Sequence, residues 1–267
     1  MSTPIIELKD VHVVFRTRTG PVFKPNKIRA VAGVSMTLNP GETLGIVGES
    51  GCGKSTTANV MCGLQAPTSG QVFFKGEEVT DRSAAHRRMI GRVVSVVFQD
   101  PSTALNARMM VRDQLADPLR VHSIGTKEER EERVRELIRQ VGLPDSALDA
   151  MPGQLSGGQR QRVAIARALA LKPDAIIADE PTSALDVSVR AQILNLLTDL
   201  KDELGLAMVF ISHDIQTVRY VSDRIAVMNG GKVVEEGPAA DILARPKDPY
   251  TRTLLGAAPS LLHPMTE

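Results

Sequence analysis

The chain has no tryptophan and two tyrosines, and aromatic residues fill only 3% of its 267 positions. A site that binds a flat ring therefore has few stacking surfaces to draw on. Cysteine is equally scarce: Cys52 and Cys62 have neither C-x-x-C spacing nor the numbers for a disulfide framework, which suits a reducing cytosol. Cluster-forming sulfur is too sparse for an iron–sulfur centre, and no group of Cys, His, Asp and Glu has zinc spacing. Neither charge sign is in excess, with 32 Lys and Arg against 31 Asp and Glu, so nothing marks a nucleic-acid binder and no nucleic-acid partner is expected. No uninterrupted apolar stretch approaches the roughly 20 residues that span a bilayer. The start, Met1-Ser2-Thr3-Pro4-Ile5-Ile6-Glu7, lacks a basic segment followed by an apolar core, so no signal peptide is expected and any membrane role must come through a partner.

Against those absences stands Gly48-Glu49-Ser50-Gly51-Cys52-Gly53-Lys54-Ser55, which fits G-x-x-x-x-G-K-[ST]. In this pattern backbone N–H groups surround phosphates, the lysine reaches the β/γ-phosphates and the hydroxyl ligates Mg²⁺. Lys54 and Ser55 take those roles, and Thr56 joins the same phosphate-binding set. The apolar run Thr43-Leu44-Gly45-Ile46-Val47 before the loop and the helical Ser55 to Met61 after it supply the required strand and helix. The Cys52 thiol could face the positive end of that helix, which lowers a thiol pKa, but its position in the pattern is permissive and it reads as tolerated filler.

Further along, Leu155-Ser156-Gly157-Gly158-Gln159 opens a helix that runs on through Arg160 to Leu169 and is ended by Lys172-Pro173. This is a second anion-seeking helix N-terminus. With both segments in view the sequence resembles the ATP-binding cassette family, over nearly the whole chain. In that family the signature pentapeptide of one subunit, here Ser156, Gly157, Gly158 and Gln159, closes over the γ-phosphate held by its partner's P-loop. The resemblance implies an α/β fold with a P-loop NTPase (RecA-like) core, an antiparallel β subdomain and an inserted helical subdomain. The expected divisions are 1–99 and 157–237 for the core with its β subdomain, 100–156 for the helical insert and 238–267 for a C-terminal tail.

The pattern of elements fits that expectation. Short strands and turns run from Ile5 to Val47, with Asn39-Pro40-Gly41-Glu42 a turn before the P-loop strand. A basic insert, Arg16 to Arg29, reads as a solvated loop or a partner contact. Val93 to Phe98 is a buried-strand run; Thr126-Lys127-Glu128-Glu129 is a capping box ahead of Val134, Leu137, Ile138 and Val141 on one helix face. Ala175 to Ala178 and Leu206 to Ile211 are strands flanking a helix, Val187 to Leu204, that buries Ile193, Leu196, Leu197, Leu200 and Leu204. Arg224 to Glu235 forms a hairpin about Asn229-Gly230-Gly231. Strands alternating with helices argue for a mainly parallel sheet covered on both faces.

Asp179 and Glu180 fall at the carboxyl end of their strand, where such sheets present ligand groups. The resemblance makes Asp179 the Walker B carboxylate that holds Mg²⁺, Glu180 the group that polarises the attacking water, and Asp186, in Pro181-Thr182-Ser183-Ala184-Leu185-Asp186, part of the D-loop. Gln99 matches the Q-loop, so Mg²⁺ would be held by Ser55, Gln99 and Asp179 with phosphate oxygens and water. His213, in Ile211-Ser212-His213-Asp214, matches the switch histidine that contacts γ-phosphate. Phe15 is the candidate to stack on adenine; core or strand-edge packing is the alternative.

A chain with one P-loop and one signature must pair with a second ATPase subunit to complete a site. The function implied is the ATP-hydrolysing subunit of an importer. Phe98-Gln99-Asp100-Pro101 with Leu105-Asn106, and Asp248-Pro249-Tyr250-Thr251-Arg252-Thr253-Leu254-Leu255, look like the oligopeptide/dipeptide/nickel importer family. The sequence departs from that family at Ala107, where proline is frequent, and in having no Cys-rich extension after the tail motif. The partners implied are a second ATPase subunit (identical or different), two transmembrane permeases and, indirectly, an extracytoplasmic solute-binding protein, with the chain peripheral on the cytoplasmic face of the membrane. An export ATPase and a non-transport ATPase of the same family are the competing readings.

Overall fold

The structure is a computed structural model and describes residues 3–17, 26–79, 81 and 83–257. In chain order come β1 (Ile6–Thr17), β2 (Asn26–Leu38), β3 (Thr43–Val47), α1 (Lys54–Met61), β4 (Ser69–Phe74), β5 (Glu77–Glu78), α2 (Ala84–Val93), β6 (Val94–Val97), α3 (Pro101–Ala104), α4 (Val111–Val121) and α5 (Lys127–Gln140). After two 3-10 turns follow α6 (Gly157–Ala168), β7 (Ala175–Asp179), α7 (Val187–Leu204), β8 (Ala207–Ser212), α8 (Ile215–Val221), β9 (Arg224–Asn229), β10 (Lys232–Pro238), α9 (Ala239–Ala244) and α10 (Pro249–Ala257). They divide into two compact units, one made of Met1–Asp81 with Val209–Glu267 and the other of Arg82–Met208.

In the first unit β2, β1, β4 and β5 form an antiparallel sheet in that order. Ile6 and Leu8 of β1 are buried, and then so are Val11 and Val13, a change of phase in the alternation. The register shifts at that point, and Asp10 takes a left-handed φ of 47°. A β-bulge thus inserts a residue so that both halves of one long strand keep their apolar faces inward. The strands here are longer than the short ones expected from the sequence. Of the basic insert, Arg16 pairs with Lys27 and Arg29 with Val14 in the β1–β2 ladder, so its ends are strand rather than loop, and residues 18–25 lie outside the described residues.

The same unit holds β3 hydrogen-bonded in parallel to β9, with β10 antiparallel on its far side. All five residues of β3 are buried, which is why it reads as an apolar run without alternation. A Cβ on Gly45 would lie 2.3 Å from Ser222 Oγ and 2.4 Å from Val218 Cγ1, so α8 packs directly on the strand's backbone. Arg224 joins the strands at their base: its Nε donates to Glu42 Oε1 at 2.7 Å, and its other nitrogens reach Glu236 and the Thr37 carbonyl. Glu236, facing Glu42 across the same guanidinium, is pushed up by desolvation and by that second carboxylate.

In the second unit β6 and β7 pair in parallel, Val94 opposite Ala175. Helices α4, α5 and α6 pack together, and Val134, Leu137, Ile138 and Val141 are buried as predicted. Thr126 and Glu129 form the expected capping box. Assignments change in two elements. Val93 ends α2 rather than opening a strand, and Phe98 is 37% exposed because β6 stops at Val97. In α7 Leu204 is 40% exposed and Leu196 only half-buried, while Leu194, not expected inside, is buried one turn from Leu197. The helix faces its unit with a stripe that drifts around its axis, and a simple i, i+4 count overruns the end.

The Arg224 cluster gives a pH test. Burial alone would raise the Glu42 carboxyl, but its hydrogen bonds to Arg224 and Asn39 outweigh that and hold it below the ordinary value of 4.5. A lowered folded-state pKa gives stability that is present above the unfolded value and is lost as pH falls through the folded one. Arg224→Met should therefore cost about 1–3 kcal/mol at pH 7, with the gap from the parent chain narrowing as pH drops below 4.5. Denaturant unfolding of both chains at several pH values measures it; a gap independent of pH would refute the role given to Glu42.

Candidate functional site

The first unit presents a loop with almost no room around it. Gly48 follows β3, and a Cβ there would lie 2.2 Å from the Met228 carbonyl oxygen of β9. Gly53 caps α1 with φ 107°, and its Cβ would lie 2.3 Å from the Ala30 carbonyl oxygen of β2. The Gly231 N–H donates to the Cys52 carbonyl at 2.9 Å, and the Ala32 N–H to the Gly231 carbonyl at 2.8 Å. Residues 48–53 are thus gripped by β2 and by the β9–β10 turn through backbone alone. Glycine is required at Gly48 and Gly53 because carbonyl oxygens occupy the space a side chain would take.

Inside this loop Lys54 is 5% exposed, a nearly buried ammonium. Its Nζ donates to the Gly48 carbonyl at 2.7 Å and to the Glu49 carbonyl at 2.9 Å. An ammonium carries three donors and is buried only beside polar partners, and the loop's own carbonyls meet two of the three and hold the charge in place. Ser55 is exposed and Thr56 half-buried at the start of α1, the helix end that attracts an anion. Glu49, Ser50 and Gly51 form the rim. Cys52 is buried beneath the loop, and burial pushes its thiol up despite Lys54 nearby. The activated thiol that a helix N-terminus could have given is therefore absent, and Cys52 serves as packing.

Phe15 is 40% exposed near the end of β1, opposite Ile28, which rules out the core reading for its ring. His213 is exposed directly after β8, in a turn where the Ser212 hydroxyl accepts the Asp214 N–H and Asp214 caps α8.

In the second unit the Glu180 backbone is left-handed, φ 46°, where a side chain with a Cβ is strained. Ser183 holds it there, its N–H and its hydroxyl both donating to the Glu180 carbonyl, at 3.2 and 3.1 Å. The bend turns the Glu180 side chain off the line of β7, and Gln99 Nε2 donates to its Oε2 at 3.2 Å. Asp179 closes β7 just before it. Ser156 caps α6 in a reciprocal capping box: its hydroxyl accepts the Gln159 N–H at 3.2 Å, and Gln159 Oε1 accepts the Ser156 N–H at 2.9 Å. A Cβ on Gly158 would lie 2.7 Å from Val189 Cγ1 of α7, whereas one on Gly157 would meet Leu185 at an ordinary 3.6 Å. Asp186 caps α7, accepting the Val189 N–H at 3.0 Å, and the Arg167 guanidinium ties α6 to the Ala104 carbonyl in the segment after Gln99, at 2.5 Å.

A phosphate cradle around a buried lysine and a capped glycine-rich helix start are the features on which a family can be tested, and the family profile described as ABC transporter matches residues 31–183. The chain belongs to that family. It is 47% identical to the oligopeptide transport ATP-binding protein AppF of Bacillus subtilis, over 96% of this chain and 78% of that protein. It is 48% identical to the di/tripeptide transport ATP-binding protein DppF of Pseudomonas aeruginosa, over 89% of this chain and 73% of that protein. Among solved structures, a dimeric ATP-binding cassette in a post-hydrolysis state with ADP and Pi matches with TM-score 0.77 at 33% identity, over 88% of this chain and 98% of that one. CbiO1 from Clostridium perfringens, part of an ABC transporter complex, matches with TM-score 0.78 at 28% identity, over 91% and 92% of the two chains.

This ABC ATPase binds ATP and has the P-loop NTPase fold that its sequence predicts. Sequence reading missed the contacts that shape the loop of residues 48–53 from afar: Met228 and Ala30 against its glycines, and the Tyr250 hydroxyl on the Glu49 N–H at 3.0 Å, 201 residues away. Tyr250 did stand in the tail motif, but nothing local says where a tail folds back.

The loop's tightness is testable by comparing two alanines. Gly48→Ala must displace a backbone carbonyl and should abolish measurable ATP binding while costing about 1–3 kcal/mol of stability. Gly51 has φ 81° with nothing near its Cβ position, so Gly51→Ala should pay about 1–2 kcal/mol in backbone strain and keep ATP affinity within several-fold. Thermal unfolding and titration with a fluorescent ATP analogue separate the two; equal losses of affinity would refute the backbone-contact argument.

Proposed function

We propose that this chain is the ATP-hydrolysing subunit of an ABC importer that takes up oligopeptides or dipeptides, the peptide assignment resting on the relatives' names and on the tail motif. The observation that carries the catalytic part is Glu180, held in a strained bend with Gln99 on its carboxylate. A carboxylate so fixed can accept the proton of an attacking water at the moment the γ-phosphate departs. Two of the Lys54 donors are met by carbonyls, and the third is left for a β/γ-phosphate oxygen. Glycines 48, 51 and 53, with Glu49, Ser50, Cys52, Ser55 and Thr56, form the cradle; Phe15 stacks on adenine, and His213 meets the γ-phosphate.

The donor set suits a hard cation. Among the described residues no three His, Cys, Asp and Glu side chains gather into a metal cage, and Mg²⁺ keeps most of its water and takes few protein ligands. Ser55, Gln99 and Asp179 are the residues proposed to hold it, where it would neutralise charge on the β- and γ-phosphates.

Nothing within the chain demands glycine at Gly157, whose added Cβ would meet only ordinary contact. We infer that the room there is for a partner's nucleotide: Ser156, Gly157, Gly158 and Gln159, with Asp186 beside them, face the P-loop of a second ATPase subunit, so that ATP holds a dimer closed and hydrolysis releases it. No helix among the described residues is long and apolar enough to cross a membrane. Attachment to the cytoplasmic face is through two permease subunits, which receive solute from an extracytoplasmic binding protein. The expected divisions at 99, 156 and 237 are retained as the proposed core, helical and tail segments.

Glu180→Gln should bind ATP normally and hydrolyse it about 10²-fold or more slowly, with an ATP-stable dimer accumulating. Near-normal turnover by the assembled variant would falsify the role of Glu180. The composite site has its own test. If the chain forms homodimers, mixing Lys54→Ala and Ser156→Arg chains should restore one site of two, pairing the intact P-loop of the second with the intact signature of the first. With a different partner no rescue occurs, and Ser156→Arg impairs hydrolysis at the partner's P-loop. Loss of ATP binding at Lys54 in the folded Ser156→Arg chain would contradict both arrangements.

A further inference from the structure

The peptide group between Gly48 and Glu49 is held at both polar ends. Its carbonyl accepts Lys54 Nζ at 2.7 Å, and its N–H donates to the Tyr250 hydroxyl at 3.0 Å. Turning this peptide would break both bonds, so the orientation of the carbonyl that anchors Lys54 is fixed from outside the loop. Tyr250 is itself positioned by short steps. Glu235 of β10 accepts the N–H groups of Lys247 at 2.8 Å and Asp248 at 3.0 Å, and Asp248 Oδ1 accepts the Tyr250 N–H at 2.8 Å, which sets the first turn of α10. Those two donors hold the Glu235 carboxyl below its ordinary range against the effect of burial, so the anchor is a carboxylate at neutral pH. Burial pushes the Tyr250 phenol up, so it stays neutral and keeps its lone pairs for the Glu49 N–H. Thr251, next to it, is fully buried and seats the segment.

We propose that Tyr250 is a positioning residue for nucleotide binding, through which the docked C-terminal segment sets the Gly48–Glu49 peptide and hence the place of the Lys54 ammonium. Its hydroxyl is engaged by the Glu49 N–H, so it acts through the loop. Because linkage is reciprocal, ATP in the loop must also favour the docked segment: nucleotide binding and tail docking stabilise one another. The inference rests on Lys54 being a phosphate ligand.

Tyr250→Phe keeps the ring and removes only the acceptor. For the full chain, the dissociation constant of a fluorescent ATP analogue and the KM for ATP should both rise about 3- to 10-fold, the worth of one hydrogen bond, while kcat changes less than two-fold. Glu235→Ala, which loosens the segment without touching Tyr250, should shift affinity in the same direction. Hydrogen exchange supplies a readout that packing alone would not move: ATP should slow exchange across Lys247–Ala257 in the parent chain and do so much less in Tyr250→Phe. Unchanged affinity in Tyr250→Phe, or equal ATP protection of the segment in both chains, overturns the proposal. Lys54→Ala in the same titration separates the failures: if it binds ATP normally, the phosphate-ligand reading falls, and if it loses binding while Tyr250→Phe does not, only the positioning role falls.

Discussion

A buried ammonium dictates the first unit. Lys54 carries a full charge at 5% exposure, and the carbonyls of Gly48 and Glu49 make that tolerable. Burying an unpaired charge costs far more than a protein's net stability, so the loop must present those oxygens whether or not a nucleotide is bound. That requirement fixes the path of residues 48–53, and the path in turn demands glycine wherever β2 and β9 press their own carbonyls against it. The fully buried β3, the bulge in β1 and the Arg224 cluster at the foot of the sheet all serve to hold those strands where the loop needs them.

The second unit uses a different device. There the functional groups stand on elements whose starts and ends are pinned by local hydrogen bonds: a reciprocal capping box at Ser156 and Gln159, an Asp cap at Asp186, and the Ser183 clamp on Glu180. Caps of this kind contribute about 1 kcal/mol each, which is small for the fold but sufficient to decide the direction of a side chain at a helix start. The strain in Glu180 is the counterpart, a residue kept in an unfavourable backbone state by the two Ser183 bonds to its carbonyl.

What could be read in the sequence follows from the range of the forces involved. The P-loop, the signature cap, the Thr126 box and the strand ends at Asp179 and Ser212 are local patterns, in which residue types a few positions apart determine geometry, and these were legible. The phase change in β1 was not, because a bulge is forced by neighbours on both sides of the strand. The Cys52 thiol was read as filler despite its place near a helix start, and the burial that raises its pKa agrees, although that depth belongs to tertiary packing and could not be seen locally. For Phe15 exposure removes only the core alternative and leaves strand-edge packing beside adenine stacking, and Leu204 was assigned to a core that ends one turn earlier.

The tail is the extreme case, since its contact with the loop spans 201 residues and leaves no periodicity to find. Its physical logic is nonetheless continuous with the rest. A loop whose glycines give it freedom must lose that freedom before its lysine can be placed, and β2, β9 and the β9–β10 turn restrain its carbonyls and its C-terminal half. The N–H at its entry is the group those strands do not restrain, and Tyr250 supplies the acceptor. A tyrosine suits this task better than a charged residue, because a carboxylate at that place would repel the phosphates that the loop exists to bind, whereas a neutral phenol can hold the N–H without opposing them. The scarcity of aromatics in the chain makes the point sharper: of its two tyrosines, one is spent on restraining a single peptide bond.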